Sequence, residues 1–192
     1  MIQLRTTNKI MKYRAFLAIY PSSELLKLLG RVLNDLKGSA MPVKWVEKQN
    51  LHLTLKFFGV QADDRIYEIE KVIEEVVSDY SPFVLKLKGI SIFPKDNPKI
   101  ISADLEESKE LLKMKRAIDS EVSNLPFVQG DRRSFLTHIT LGRISAPLFE
   151  DQKKLLSSIK LNDGWEVASV HLMESDLTGK SPNYSVLQSY QL

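Results

Sequence analysis

Cysteine is absent from all 192 residues. That removes disulfides, thiolate metal sites and a thiol nucleophile, and it fits a reducing compartment, so the expected location is the cytoplasm. No apolar run approaches the roughly 20 residues that a membrane-spanning helix needs. The opening MIQLRTTNKIM is too polar for a signal-peptide core, and residues 1–11 are expected to be a tail ahead of a single domain over 12–192. A large excess of either charge is also missing. The 27 Lys and Arg against 24 Asp and Glu leave +3, too little for a broad surface that grips long duplex nucleic acid, though compatible with a small anionic ligand. Histidine is scarce. The three in the chain show no H-x-x-x-H or H-E-x-x-H spacing, so a zinc hydrolase lacks ligands and no metal or other cofactor is expected.

What is present is a chain that repeats itself. It is 43% hydrophobic, enough for one compact domain or two small lobes sharing a cleft. Glu24-Leu25-Leu26-Lys27 returns as Glu110-Leu111-Leu112-Lys113, and His52-Leu53-Thr54-Leu55 returns as His138-Ile139-Thr140-Leu141, both at an offset of 86 residues. Unrelated coincidences rarely share an offset, and the chain reads as an internal duplication of a strand–helix–strand–strand unit.

Periodicity supports that layout. After a β-rich stretch at 14–20, Ser22 or Ser23 caps a helix with Leu25, Leu28, Leu29, Val32 and Leu36 in one stripe. The second copy opens with a strand at 99–106 and a helix with Leu111, Met114, Ile118 and Val122 inward. Further helices are expected over about 64–79, with Ile66, Ile69, Ile73 and Val76 inward, and over 148–159 after Pro147. Strands are expected at 83–93, 166–176 and 184–191. The predicted class is α+β: two pseudo-symmetric lobes, each an antiparallel sheet backed by helices, with the active-site cleft between them.

Side chains alternate across a strand, so His52 and Thr54 share one face while Leu53, Leu55 and Phe57 take the other; His138 and Thr140 repeat the pattern opposite Ile139 and Leu141. A lone histidine in a half-buried strand is more often packing than chemistry. Two of only three histidines carrying the same apolar-Thr-Leu sequel is not what composition yields. Facing each other, the two pairs supply what phosphodiester hydrolysis needs: a neutral imidazole to take a proton from water, a protonated one to give a proton to the departing oxygen, and hydroxyls for the phosphate oxygens.

At these residues the chain resembles a known family. HLTLKFFG at 52–59 and HITLGR at 138–143 look like the paired H-x-T-x motifs of the 2H phosphoesterases, and within them the RNA 2′,3′-cyclic phosphodiesterases of the 2′-5′ RNA ligase family. The likeness runs from about Lys12 to the C-terminus and includes RAFLAI, the GISIFP strand end, the ELLK helix and LTGKSPNY. It implies a metal-independent site between two lobes that opens a 2′,3′-cyclic phosphate to a 2′-phosphomonoester. His52 would be the proton donor and His138 the proton acceptor, with Thr54, Thr140 and Arg143 binding substrate. The implied partners are RNA ends or cyclic nucleotides, tRNA fragments among them; no membrane is implied, and a monomer is expected. Reverse 2′-5′ ligation follows from running the same chemistry backwards.

The chain departs from the family pattern in places. Thr137 stands where relatives often have Pro before the second histidine, KIISADL lacks a tryptophan frequently found there, and Ser181-Pro182 replaces Gly-Pro. Strict alternation puts Arg143 on the face opposite His138, unless Gly142 marks a bulge. Lys56 falls on the His52 face, Arg132-Arg133 lies just upstream of the second motif, Trp45 and Phe57 are read as core, and His171, without a Thr partner, as structural. The competing reading is a non-catalytic module that binds RNA ends or nucleotides, which would need phosphate ligands but no acid and base.

Overall fold

The computed structural model describes residues 11–131, 134–179 and 181–192; the expected N-terminal tail up to residue 10 and the Arg132-Arg133 pair lie outside them. The described elements run β1 (Lys12–Ile19), α1 (Ser23–Lys37), β2 (Val43–Trp45), a 3₁₀ turn (Lys48–Asn50), β3 (Leu53–Ala62), α2 (Asp63–Val77), β4 (Phe83–Phe93), β5 (Ile100–Leu105), α3 (Lys109–Val122), β6 (His138–Ile144), α4 (Glu150–Ser158), β7 (Gly164–Val167), β8 (Ser169–Asp176) and β9 (Asn183–Gln191). The class is α+β. No helix among the described residues is long and apolar enough to cross a membrane.

The two ELLK helices begin under the same cap. Ser22 Oγ accepts from the Leu25 N–H and Ser108 Oγ from the Leu111 N–H, each at 3.2 Å, which satisfies an N–H left open by the first helical turn. Leu25, Leu29, Leu33 and Leu36 are the buried leucines of α1, while Leu28 and Val32 are half-buried, so the stripe is turned slightly toward Leu33. On α2, Ile66, Ile69, Ile73 and Val76 are buried; on α3, Leu111, Met114, Ile118 and Val122 are joined by Lys115, which no apolar stripe anticipates.

The strands pair antiparallel in the order β7-β4-β5-β6-β3-β1-β8-β9, with β2 on β6. The sheets of the two halves join edge to edge through one residue pair, Leu53 with Ile139, so the motif strands β3 and β6 meet at the seam. The stretch expected as one strand at 166–176 divides at Ala168: β7 joins β4 and β8 joins β1, tying the halves together. One large apolar cluster, with Leu17, Ile19, Leu53, Ile139 and Leu172 from strands and Leu29, Ile69 and Ile118 from helices, fills the helix side of the sheet. At about 1.5–3 kcal/mol per fully buried large aliphatic side chain it is the main stabilising term. A smaller cluster of Phe16, Ala18 and Met173, joined by Tyr20 and Tyr184, lies apart from it on the opposite face.

Both motif strands bulge at the same step. Against β1, Thr54 pairs with Ala18 and Lys56 with Leu17, leaving Leu55 extra; against β5, Thr140 pairs with Ser102 and Gly142 with Ile101, leaving Leu141 extra. Each extra leucine is the third residue after the motif histidine. Beyond it the alternation inverts. Lys56, expected on the His52 face, therefore turns inward and is 3% exposed, and Phe57, expected in the core, is 66% exposed and pairs with Phe16. Gly142 lets β2 approach: a Cβ there would fall 2.5 Å from Val43 Cγ1 and 2.9 Å from Trp45 Cε3. Trp45 is half-buried against the large cluster, close to its expected role.

The buried Lys56 is not left uncompensated. Its Nζ lies 2.9 Å from the Asp131 carboxylate and 3.7 Å from Asp119, and Lys115 pairs with the same two carboxylates. Two ammonium groups against two carboxylates make the cluster neutral, as burial demands. It also fastens Asp131 and helix α3, through Asp119 and Lys115, onto the back of the strand that follows His52.

Candidate active site

His52 precedes β3 and His138 opens β6. The two rings are held alike. His52 Nδ1 lies 2.7 Å from the Asn50 carbonyl oxygen and His138 Nδ1 lies 2.8 Å from that of Leu136, in each case two residues upstream. A carbonyl only accepts, so in both rings Nδ1 carries the hydrogen and Nε2 is left to take or give a proton. Each ring also rests on a phenylalanine. Phe16 lies 5.0 Å from His52 and Phe93 lies 5.0 Å from His138, measured between ring centroids.

The surroundings differ beyond that. Tyr184 stands edge-on to His52 at 5.3 Å and Tyr20 lies at 5.9 Å, completing an aromatic cage. Burial in it lowers the His52 pKa below the usual imidazole value; the Asn50 carbonyl opposes this and the charge of His138 adds slightly to it. The antiparallel pair Leu53–Ile139 at the seam involves the residue directly after each histidine, so the two rings flank the same ladder step. Burial pushes the Tyr20 hydroxyl up to about 12, so it stays protonated and neutral beside His52.

Thr54 and Thr140 are half-buried, two positions after their histidines and ahead of the bulges, on the histidine faces as alternation requires. Arg143 lies beyond the Leu141 bulge, is exposed, and acts on Tyr184: burial raises the Tyr184 pKa and Arg143 pulls it back down. The bulge inverts the alternation, with Gly142 buried and Arg143 exposed, and so returns Arg143 to the histidine face that strict alternation would have denied it. Phe57 occupies the corresponding fifth position after His52, with its ring 6.1 Å from Phe16. Asp104 is the ladder partner of His138, and its carboxylate accepts from Ser102 Oγ at 2.6 Å. His171 has both ring nitrogens engaged, by Ser169 Oγ at 3.0 Å and Ser189 Oγ at 2.9 Å, as suits a structural ring.

Sequence reasoning did not single out Phe16 and Phe93 as ring supports, although RAFLAI and GISIFP contain them, and it put Phe57 on the wrong face. Among the described residues no three His, Asp or Glu side chains are grouped to hold a metal ion. What is gathered can give a proton, take a proton, and bind an oxyanion through two hydroxyls and a guanidinium.

Known proteins resemble the chain over nearly its full length. The sequence profile described as the 2′-5′ RNA ligase superfamily matches residues 14–179. The RNA 2′,3′-cyclic phosphodiesterase of Methanothermobacter thermautotrophicus is 31% identical over 188 residues, 95% of this chain and all of that one. Its namesake from Archaeoglobus fulgidus is 28% identical, covering 93% of this chain and 99% of that one. Among solved structures, a Thermus thermophilus protein superposes with a TM-score of 0.82 at 25% identity, over 93% of this chain and 97% of that one. Escherichia coli LigT complexed with 3′-AMP superposes at 0.78 with 18% identity, over 95% and 99%, a likeness of fold.

Proposed function

The chain belongs to the 2′-5′ RNA ligase superfamily, and from that premise we propose that it hydrolyses RNA 2′,3′-cyclic phosphodiester ends to 2′-phosphomonoesters without a metal. His52 and His138 are the acid–base pair. The observation that carries this reading is the matched tether of the two rings, each with Nδ1 on a carbonyl and Nε2 open. A packing histidine does not need its tautomer fixed twice over in the same way.

In the reaction, His138 Nε2 takes a proton from water as the oxygen attacks phosphorus. The bond from phosphorus to the ribose 3′-oxygen breaks, and His52 Nε2 gives its proton to that oxygen. The product keeps phosphate on the 2′-oxygen, and the two rings exchange protonation states, to be restored through solvent. Thr54 and Thr140 donate to non-bridging oxygens and Arg143 balances the growing negative charge. The donor and acceptor roles are those the family resemblance implies. Burial by itself disfavours the protonated His52 ring, and a bound phosphodiester anion offsets this by favouring the imidazolium. If the 5′-hydroxyl of a second RNA takes the place of water, the same proton transfers yield a 2′-5′ linkage.

Product analysis with an oligonucleotide ending in a 2′,3′-cyclic phosphate tests the reading, in excess chelator and without it. The expected outcome is a 2′-phosphate at equal rates in both. A 3′-phosphate would reverse the leaving group, and activity lost in chelator and restored by zinc or magnesium would end the metal-independent mechanism. Binding without turnover would favour the non-catalytic module.

A further inference from the structure

Charge is distributed unevenly over the helices. In the groove between α1 and the 3₁₀ turn, Lys27, Arg31, Lys37 and Lys48 meet one carboxylate, Glu24, around a volume of about 610 Å³. The four cations and one anion amount to the +3 of the entire chain, so the remaining residues are balanced. Helix α2 carries the opposite sign, with Asp63, Asp64, Glu68, Glu70, Glu74 and Glu75 against Arg65 and Lys71. Glu24, at the end of the groove, already accepts from Ser23 Oγ at 2.7 Å.

The groove has a specific shape. Gly30 sits in the interior of α1, where glycine is unfavourable, and a Cβ there would lie 3.0 Å from Lys48 Cδ. Its missing side chain is the bed in which the Lys48 stem lies. The turn carrying Lys48 ends at Asn50, the residue whose carbonyl holds His52, and Ile19, four residues ahead of α1, pairs with Leu53, so groove and site share one end of the sheet, the site on one face and the groove on the helix side. Lys27 and Arg31, one helical turn apart, stand about 6 Å from each other along the axis, comparable to the step between successive phosphates of an extended single strand.

We propose that this groove is a phosphate-binding track for the single-stranded RNA that continues from the cyclic end, so that the strand leaves the site over α1 and away from the acidic α2. The proposal rests on the reading above that the substrate end is RNA. Backbone phosphates are recognised there by charge, independent of base, which suits an enzyme acting on ends of differing sequence.

The test is equilibrium binding of a short single-stranded oligonucleotide ending in a 2′-phosphate, the reaction product, followed by fluorescence anisotropy across a salt series. For wild type, log Kd should depend on log salt more steeply than for the mononucleotide 2′-AMP. In Lys27→Gln/Arg31→Gln the oligonucleotide slope should shrink by roughly 1.4, about 0.7 for each single-strand phosphate no longer neutralised, while Lys71→Gln on α2 should leave it alone. An unchanged slope in the double variant overturns the track, and so does a change in Lys71→Gln of about half that in the double variant, one charge against two, which would mark a mere effect of net charge. Failure of the wild type to open 2′,3′-cyclic AMP would instead overturn the proposed activity, a separate outcome from either slope.

Discussion

Strands β3 and β6 open alike and then diverge. Each starts from a histidine tethered through Nδ1 to the carbonyl two residues back and resting on a phenylalanine at 5.0 Å, and each bulges at the third residue beyond. After the bulge, β3 has Lys56 turned inward and Phe57 outward, whereas β6 has Gly142 and Arg143 at the same steps. One backbone device thus delivers an apolar ring on one side of the seam and a cation on the other. The shared part fixes the tautomer and setting of both rings; the divergent part leaves two unlike walls, an exposed aromatic ring on β3 and an exposed guanidinium on β6.

Removing either histidine attacks the shared part and should cost most. General acid–base catalysis contributes about 10²–10⁴ in rate per group, so His52→Ala and His138→Ala should each nearly abolish turnover of a 2′,3′-cyclic nucleotide, while His171→Ala stays near wild type. The double variant should lose less than the product of the single losses, since the groups act as one unit. A His138→Ala protein that kept most of its kcat would end the two-histidine mechanism.

The divergent fifth positions should then separate. Arg143→Gln removes a charge that counts most as the phosphate gains charge, so kcat should fall, by roughly 10- to 100-fold, at the low end for removal of an oxyanion-stabilising group. Phe57→Ala removes only an exposed ring, and its effect should appear in KM, by several-fold, with kcat retained. If both variants change the same parameter to the same extent, the two walls are not specialised.

Lys56 distinguishes the strands behind the sheet. Lys56→Met leaves Asp119 and Asp131 with Lys115 alone; full rupture of a buried pair costs about 3–5 kcal/mol, but the carboxylates are 39% exposed, and solvent screening reduces the expected loss to about 1–3 kcal/mol. Chemical denaturation would measure it. A loss within error would mean that the cluster contributes nothing net.

The placement of both histidine motifs on matching strands, the Ser22 cap and the inward faces of α2 and α3 were legible because each is written in residues a few positions apart. The bulges were not, since an extra residue is defined only against the partner strand, and nothing in TLKFF says whether Leu55 is skipped by β1. One unseen bulge put Lys56 and Phe57 on each other's faces, while Gly142 gave a local hint of its counterpart because a glycine in a strand signals close approach. The Lys56–Asp131 pair joins residues far apart in sequence, and Asp131 sits in a loop with no periodicity to read. Phe16 and Phe93 were visible as strand residues, but which face of the sheet would meet the histidines was a matter of tertiary register.

The smallest effect tests the aromatic cage around His52. Burial among Phe16, Tyr20 and Tyr184 lowers the His52 pKa, with the Asn50 carbonyl opposing and His138 adding to the shift. In the pH profile of kcat/KM, which reports the free enzyme, the limb due to His52 should therefore lie on the acid side of the ordinary imidazole value. Desolvation penalises the charged ring, so admitting water raises the pKa. Tyr184→Ala opens one wall while leaving both tethers intact, and it should carry that limb back toward higher pH. Removing Tyr184 also leaves Arg143 beside the opened space, and a nearby cation would push the limb the other way. The Tyr184→Ala profile therefore weighs solvent against charge directly: a limb moving to higher pH assigns the shift to the cage, and one moving further to acid assigns it to the charged wall of β6. An unmoved limb would show that Tyr184 controls neither.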